Sequence, residues 1–213
     1  VPEEGSSSQN DSVVSGRRRG VDGQVQIGLA DGSSFFVSTE FDDTHELSVG
    51  SEVSAELRRV LIIEDERIRA YVKALELLGR REHTVFELRI KLKKREFSDV
   101  PVEEAMRSLQ DAGYLSDRRY AESWVENRLK RRPEGYPKLA AGLKKRGVDQ
   151  TTIASVLDQL YTEEASERAL EQAAAKIMRL REIDELTALR KLTAKGFPYR
   201  RAKTHLRNTY FAE

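Results

Sequence analysis

The chain has 213 residues, with 37 Lys or Arg, 36 Asp or Glu and no Cys, which allows one large or two modest domains and excludes disulfides and thiolate metal sites. Hydrophobic residues make up 38% of the chain and charged residues 34%, a balance that favours a surface-rich helical protein over an enzyme with a large core. No run of about 18 apolar residues is present, and no apolar stretch follows Arg17-Arg18-Arg19, so we expect a cytoplasmic protein without a membrane partner.

Charge is divided unevenly along the chain. Residues 1–65 contain 5 basic and 13 acidic side chains, a net charge of −8, whereas residues 66–213 contain 32 and 23, a net charge of +9. This division predicts two modules and an anionic partner for the second one. Plain solvated helices also carry a mild basic excess, so charge alone leaves both interpretations open.

The N-terminal part is predicted to contain a tail and a small sheet. Residues 1–20 have too few apolar side chains to offset the entropy of ordering, which predicts a disordered tail. Apolar residues alternate over 24–29, and Asp31-Gly32 then supplies the turn of a hairpin. A second alternating run over 53–60 predicts a third strand. We therefore expect a small antiparallel β-strand module over residues 21–63, which must pack on another element to be stable.

After this module the apolar period changes from two to about 3.6, which indicates helices. One helix is predicted over 66–79. Thr84 has the position of an N-cap for a second helix, over 86–95. Pro101 suits the first turn of a third helix, which Gly113 ends.

The same pattern occurs three times. Leu92, Leu143 and Leu192 are 51 and 49 residues apart, and each precedes a Lys/Arg helix end, a turn residue and an apolar residue. Longer helices are predicted ahead of each, over 66–79, 117–132 and 163–180. The sequence therefore predicts a mainly α fold of three tandem three-helix repeats, about 64–113, 114–161 and 162–213, forming an elongated curved body.

The turn residue differs in the first repeat. Gly147 and Gly196 occupy this position in the second and third repeats, but Glu96 occupies it in the first. Gly suits the left-handed conformation at a helix end. The substitution therefore predicts either a less tight first turn or a register that differs by one residue.

The chain carries no pattern typical of catalysis or metal binding. The three His residues form no His-x-x-x-His pair, and neither a Gly-rich phosphate loop nor a Gly-x-Ser-x-Gly elbow is present. Glu103-Glu104 and Glu163-Glu164 lie in the first turns of predicted helices, where they favour the helix dipole. We therefore expect a protein that is not an enzyme and that uses no metal or cofactor.

Basic side chains concentrate at the ends of the predicted helices. At equivalent places in stacked repeats they would form a stripe suited to a phosphate backbone or an acidic groove. Complementation of the negative helix ends is the alternative explanation for each cluster taken singly. The basic candidate binding residues are Lys91, Lys93, Lys94, Arg95, Arg128, Lys130, Arg131, Arg132, Lys138, Lys144, Lys145, Arg146, Lys195, Arg200, Arg201, Lys203 and Arg207.

Aromatic residues add one further candidate. Tyr120 and Trp124 are four residues apart, so they share a helical face and are predicted to be core residues. Tyr136 lies between Gly135 and Pro137. This context predicts a loop, in which Tyr136 is the best candidate for an exposed aromatic contact.

Several segments resemble the regulatory protein RecX family. Residues 74–92 resemble the opening of that family: an Ala-Leu helix, an Arg, a Ser/Thr cap and Glu-Leu before a basic helix end. Residues 113–121, Gly-Tyr-Leu-Ser-Asp-Arg-Arg-Tyr-Ala, are similar to its most recognisable segment, although Ser116 replaces a common Asp. Residues 143–148 and 195–197 are similar to its later elements. The resemblance covers residues 64–210, and the N-terminal strands are similar to an extension found in some members.

The resemblance implies a modulator of the RecA recombinase. Members bind RecA filaments on single-stranded DNA along the helical groove, impede filament extension, and lower ATP hydrolysis, strand exchange and co-protease activity. We accordingly expect RecA as the partner, a role in DNA repair, recombination and the SOS response, possible direct contact with nucleic acid, and a monomeric chain.

Two alternatives remain open from sequence. Each three-helix unit also has the size of a helix-turn-helix module, which predicts direct DNA binding. However, the helix over 86–95 offers Arg and Lys but no Asn or Gln, which favours backbone contact over base reading. The other alternative is a structural scaffold whose strand module docks another protein.

Overall fold

The computed structural model describes residues 12–20, 23–180 and 183–211. Within these ranges the chain forms a four-stranded antiparallel sheet and ten α-helices, which confirms the expected mainly α fold with a small sheet. The strands are β1 (Ser12–Arg19), β2 (Gln24–Leu29), β3 (Ser34–Ser38) and β4 (Glu52–Val53). The helices are α1 (Thr39–His45), α2 (Ala55–Leu78), α3 (Val85–Lys93), α4 (Asp99–Asp111), α5 (Asp117–Arg131), α6 (Tyr136–Lys144), α7 (Gln150–Leu160), α8 (Glu163–Met178), α9 (Glu185–Ala194) and α10 (Tyr199–Tyr210).

Part of the segment predicted to be a disordered tail is a strand. The prediction over residues 1–20 is wrong for Ser12–Arg19, which form β1, while residues 1–11 lie outside the described ranges. β1 pairs with both β2 and β4, it buries Val14, and Arg17 forms an ion pair with the buried Asp42. β4 and Asp42 are distant from β1 in sequence, so local composition did not reveal these contacts.

The predicted third strand over 53–60 is also wrong beyond Val53. The side chain of Ser54 accepts a hydrogen bond from the Leu57 N–H at 3.2 Å, and this N-cap begins the 24-residue helix α2. The module boundary predicted between residues 63 and 64 therefore falls inside one continuous helix. Alternation over so few residues does not distinguish a strand from the first turns of a helix.

The sheet has the order β3-β2-β1-β4 and packs its apolar face on α2. Val25, Ile27 and Val37 are fully buried there, and Leu61 of α2 joins the same cluster. This arrangement provides the support that a small sheet needs.

The edge strand β3 is closed by carboxylates from α2. The Phe36 N–H donates to Asp65 Oδ1 at 2.9 Å, and the Ser38 N–H donates to Glu64 Oε1 at 3.2 Å. Burial acts to raise the pKa of Glu64, but the hydrogen bonds from Arg67 and from Ser38 outweigh it, so the pKa lies below its ordinary value. These two outward N–H groups of the edge strand are thus satisfied and cannot pair with another strand.

The helices repeat the predicted order of one longer and two shorter helices three times. Leu92, Leu143 and Leu192 are all fully buried. The chain divides into two compact units: one contains residues up to Arg81 with Leu88–Tyr114, and the other contains Glu82–Glu87 with residues from Leu115 onward. In the first unit α2 packs on α4, and in the second α5 packs on α6 and α7, and α9 on α8 and α10.

The turn at Glu96 has the same conformation as its Gly counterparts. Glu96 has a φ of +66°, compared with +81° at Gly147 and +89° at Gly196. The expectation of a looser turn or a shifted register is therefore wrong. The first repeat holds a residue with a Cβ in the left-handed region, where such residues are disfavoured.

Replacing Leu61 by Ala should lower the free energy of unfolding by roughly 2–5 kcal/mol, because it opens a cavity where α2 meets the sheet. Ile62→Ala is the matched control, since Ile62 is 48% exposed, and should change stability by less than about 1 kcal/mol. Urea unfolding followed by circular dichroism measures both. Equal losses would show that the sheet does not depend on this contact.

Replacing Glu96 by Gly should raise the free energy of unfolding by up to about 1 kcal/mol, because Gly adopts a positive φ without steric cost. Glu96→Ala serves as the control, because it removes the carboxylate but keeps the Cβ. Thermal unfolding compares the two variants with the parent chain. A stabilisation of the same size in both would assign the effect to charge instead of backbone conformation.

Candidate binding surface

The turn that follows α6 contains Arg146 and Gly147, and it packs on the first turn of α3 within the second unit. The Thr84 hydroxyl donates a hydrogen bond to the carbonyl oxygen of Arg146 at 2.7 Å and accepts one from the Glu87 N–H at 3.0 Å. The next residue of the turn, Gly147, lies so close that an added Cβ would be 2.3 Å from the Cβ of Phe86. Only Gly fits here, because both the positive φ and the close approach exclude a side chain.

An equivalent contact forms one repeat later. The Gly135 N–H donates to the carbonyl oxygen of Lys195 at 2.9 Å, and an added Cβ on Gly135 would be 2.1 Å from the Gly196 oxygen. A Cβ on Gly196 would be 2.9 Å from the Cβ of Lys138. In both places a basic residue uses its backbone carbonyl in the contact, so the turn fixes where the basic helix end lies.

The basic end of α6 is exposed at this turn. Lys144 and Lys145 are exposed and form no ion pair with any residue in the described ranges. Arg146 is half-buried, and its Nη1 donates to the Gly142 carbonyl oxygen at 2.8 Å. Arg146 is therefore partly structural, whereas the two lysines are available to a partner.

One face of α5 forms a cavity of about 350 Å³, here named the α5 arginine cleft. Its lining residues recur at helical spacing, and they are Trp124, Asn127, Arg128, Arg131 and Arg132.

The guanidinium carbons of Arg128 and Arg146 lie 4.8 and 5.0 Å from the centroid of the Trp124 ring. Trp124 is half-buried, and an added Cβ on Gly142 would be 2.5 Å from its ring.

Several of the predicted basic residues are held by partners inside the chain. Lys93 pairs with Asp99 at 2.8 Å, Arg201 with Glu163 at 2.8 Å, Arg207 with Glu185 at 2.9 Å, and Arg128 with Glu134 at 3.6 Å. Arg95 donates to the Lys91 carbonyl oxygen at 2.8 Å, and Lys203 lies 5.9 Å from the Tyr199 ring centroid. Lys94, Lys130, Lys138 and Arg200 are exposed, and Lys91 and Lys195 are half-buried.

These residues do not all lie in one unit. Lys91, Lys93, Lys94 and Arg95 belong to the first unit, and the remaining candidates belong to the second. Within the second unit, the structure brings Arg128, Arg131, Arg132 and Arg146 together around Trp124. Arg201 and Arg207 of α10 instead form ion pairs with α8 and α9.

The prediction that Tyr136 lies in an exposed loop is wrong. Gly135 is the N-cap of α6, and Tyr136 begins the helix, with Pro137 in its first turn. The Tyr136 ring packs edge-on against Tyr161 at 6.0 Å between centroids. Burial and the neighbouring Asp158 carboxylate raise the Tyr136 pKa above its ordinary value. Tyr136 is thus half-buried against the core of α5 to α7.

Among the residues of the cleft, the sequence did not single out Asn127. The spacing of i, i+3, i+4, i+7 and i+8 from Trp124 to Arg132 was a usable signal, since it places all five residues on one helical face. For Trp124 the sequence favours a core position over a stacking platform; the ring is half-buried and also carries two guanidinium groups.

The arrangement is suited to binding anions. In the described part of the chain, no three His, Asp or Glu side chains converge as a metal site would require. None of the helices described is long and apolar enough to cross a bilayer. The polar groups at the cleft and at the end of α6 are guanidinium, ammonium and amide groups, which bind phosphate or carboxylate oxygens.

Comparisons with known proteins agree on one family. Models of the first and second three-helix domains of RecX match residues 70–109 and 116–157. The regulatory protein RecX of Pelodictyon phaeoclathratiforme is 33% identical over 138 residues, which cover 63% of this chain and 84% of that protein. The same protein of Thermus thermophilus is 39% identical over 129 residues, 61% of this chain and 84% of the relative.

Two solved structures share the fold. A crystal structure of regulatory protein RecX matches with a TM-score of 0.75 at 23% identity, covering 91% of this chain and 99% of that chain. The crystal structure of RecX from Lactobacillus salivarius matches with a TM-score of 0.59 at 24% identity, covering 68% and 96%. At these identities the likeness concerns the fold alone.

Replacing Gly135 by Ala should lower the free energy of unfolding by roughly 2–3 kcal/mol, because the new Cβ separates the two turns and breaks the bond to Lys195. Gly113→Ala is the control: Gly113 has a φ of +74° but open space around its Cα, so it isolates the backbone cost of about 1 kcal/mol. Chemical denaturation measures both. A smaller loss at Gly135 than at Gly113 would contradict the proposed importance of the turn contact.

Proposed function

This chain belongs to the regulatory protein RecX family, and from that premise we propose that it binds the RecA recombinase, free or as a filament on single-stranded DNA. Binding restrains filament extension and so lowers ATP hydrolysis and strand exchange by RecA. The chain thereby tunes recombination and DNA repair. Family membership is the observation that carries this proposal, since it supplies the identity of the partner.

The exposed basic end of α6 supports an acidic or phosphate-bearing partner. Lys144 and Lys145 lie in solvent next to the fixed turn at Gly147, without an internal carboxylate to satisfy them among the described residues. Lys130 and Lys138 are also exposed in the same unit. Several weak ionic contacts spread over neighbouring repeats add through multivalency when the partner is itself repetitive.

Sequence-specific DNA reading is the weaker alternative. In a helix-turn-helix protein a helix presents base-reading side chains in the major groove. α4 instead carries four acidic residues and a single Arg, and α7 carries one Asp and no Lys or Arg. In α10, Arg201 and Arg207 are ion-paired with α8 and α9. The third helices of the repeats therefore do not favour base reading.

In the proposed role the chain acts by binding RecA and not by catalysis. RecX relatives are named regulatory proteins. We expect no nucleotide hydrolysis by the chain alone, because the sequence carries no phosphate loop and no metal cluster is found among the residues that the structure describes. RecA remains the only source of ATP hydrolysis in the proposed assembly.

The double variant Lys144→Gln/Lys145→Gln should raise the concentration needed for half-inhibition of RecA-driven strand exchange by roughly fivefold, which corresponds to about 1 kcal/mol lost from two exposed ionic contacts. Its circular dichroism and melting should stay close to those of the parent, because exposed substitutions alter stability little. Titrations at several salt concentrations give the size of the ionic contribution.

Arg190→Gln/Lys191→Gln is the matched control, because both residues are exposed neighbours on α9. This control should inhibit like the parent chain. Should the α6 variant match the control at every salt concentration, the end of α6 is only a solvated helix terminus.

A further inference from the structure

The α5 arginine cleft contains more cationic side chains than are needed to complement the negative C-terminal end of α5. The carbonyl oxygen of Arg131, at the C-terminus of α5, already accepts a hydrogen bond from Lys176 Nζ at 3.0 Å. One cation in this position is enough to complement the negative helix end. Arg131 and Arg132 nevertheless extend into solvent without an ion pair to any described residue. The side chains of Arg131 and Arg132 are therefore not needed to stabilise the end of α5.

The Trp124 ring organises part of this charge. Arg128 lies on α5 and Arg146 in the turn after α6, yet both guanidinium groups lie over the same ring. Arg146 is held further by its bond to the Gly142 carbonyl oxygen at 2.8 Å. Such restraint reduces the rotamer entropy that long side chains lose on binding. The cleft is thus arranged before a ligand arrives.

The residue types in the cleft match a nucleotide better than an acidic protein surface. Bases stack on aromatic rings and on guanidinium planes, while neighbouring arginines hold phosphate oxygens through paired N–H groups. Asn127 is exposed, and its Nδ2 donates to the Ser123 carbonyl oxygen at 2.8 Å, which turns the amide oxygen away from the helix. A carboxylate-rich peptide would bind the arginines, but it has no flat ring to stack on the guanidinium groups over Trp124. The cavity of about 350 Å³ is also of the size that one nucleotide fills.

From this arrangement we infer that the α5 arginine cleft binds single-stranded nucleic acid directly. A base stacks on the guanidinium groups over Trp124, and the flanking phosphates bind Arg131 and Arg132. Only the choice of a single strand as the ligand rests on the proposed function, in which the partner is a filament on such a strand. The nucleic-acid contact itself requires no RecA.

Trp124 is the only Trp in the chain, so its fluorescence reports on the cleft in the intact protein. Titration with an oligothymidylate of about 12 nucleotides, without RecA, should change the Trp124 emission at low salt. Arg131→Gln/Arg132→Gln should weaken this binding at least tenfold. Two lost phosphate contacts should also reduce the slope of log K against log salt by about 1.4, since each contributes about 0.7 on single strands.

Arg179→Gln/Arg190→Gln is the matched control, because it removes two exposed arginines from the same unit and should change the affinity less than twofold. Trp124→Phe should keep most of the affinity and Trp124→Ala should lose it, as measured by the anisotropy of a labelled oligothymidylate. An unchanged emission, equal affinities of the two double arginine variants, or an equal response to polyglutamate would each overturn the inference. Because RecA is absent, this test and the strand-exchange test can fail independently.

Discussion

The tight packing of a helix-ending turn against the first turn of another short helix determines where the rest of the second unit lies. The contact occurs twice, at Gly147 on Phe86 and at Gly196 on Lys138. In each case a carbonyl oxygen of the basic residue before the Gly accepts a hydrogen bond, from Thr84 in one and from Gly135 in the other. A turn with a left-handed residue and no Cβ is the only solution that brings the backbones so close.

The cationic side chains near these turns differ in whether they are paired inside the chain. The backbone carbonyl of Arg146 is used in packing, and its guanidinium group folds back to the Gly142 carbonyl oxygen at 2.8 Å. Some of the cations find internal carboxylates, as Arg201 and Arg207 do. Lys144 and Lys145 do not, among the residues described. Exposed cations of this kind contribute little to stability, and they are available for binding a partner.

In the first unit, charged side chains close the edge of the sheet instead of facing a partner. Asp65 and Glu64 are acidic residues buried on α2, yet each accepts a backbone N–H from the edge strand β3. Arg67 and Arg69 balance their charge. Charged groups here close a sheet edge against unwanted pairing. At the α5 arginine cleft, Arg128 and Arg146 are half-buried and pair with Glu134 and Glu87, whereas Arg131 and Arg132 are exposed and suit a ligand.

Sequence alone determined the elements whose signals are local. The helical period, the cap at Thr84 and the spacing of Leu92, Leu143 and Leu192 were enough for the repeated helices, because a helix is stabilised by residues three and four apart. Tertiary structure decided what depends on distant partners: β1 pairs with β4, which lies far along the chain, and the first turns of α2 pack on the sheet through Leu57 and Leu61. It likewise separated the basic residues that are paired from those that are exposed, since an ion pair such as Arg201 with Glu163 joins residues far apart in the chain. Local periodicity places the five residues of the α5 arginine cleft on one helical face, but it carries no information on Arg146, which reaches the Trp124 ring from the turn after α6.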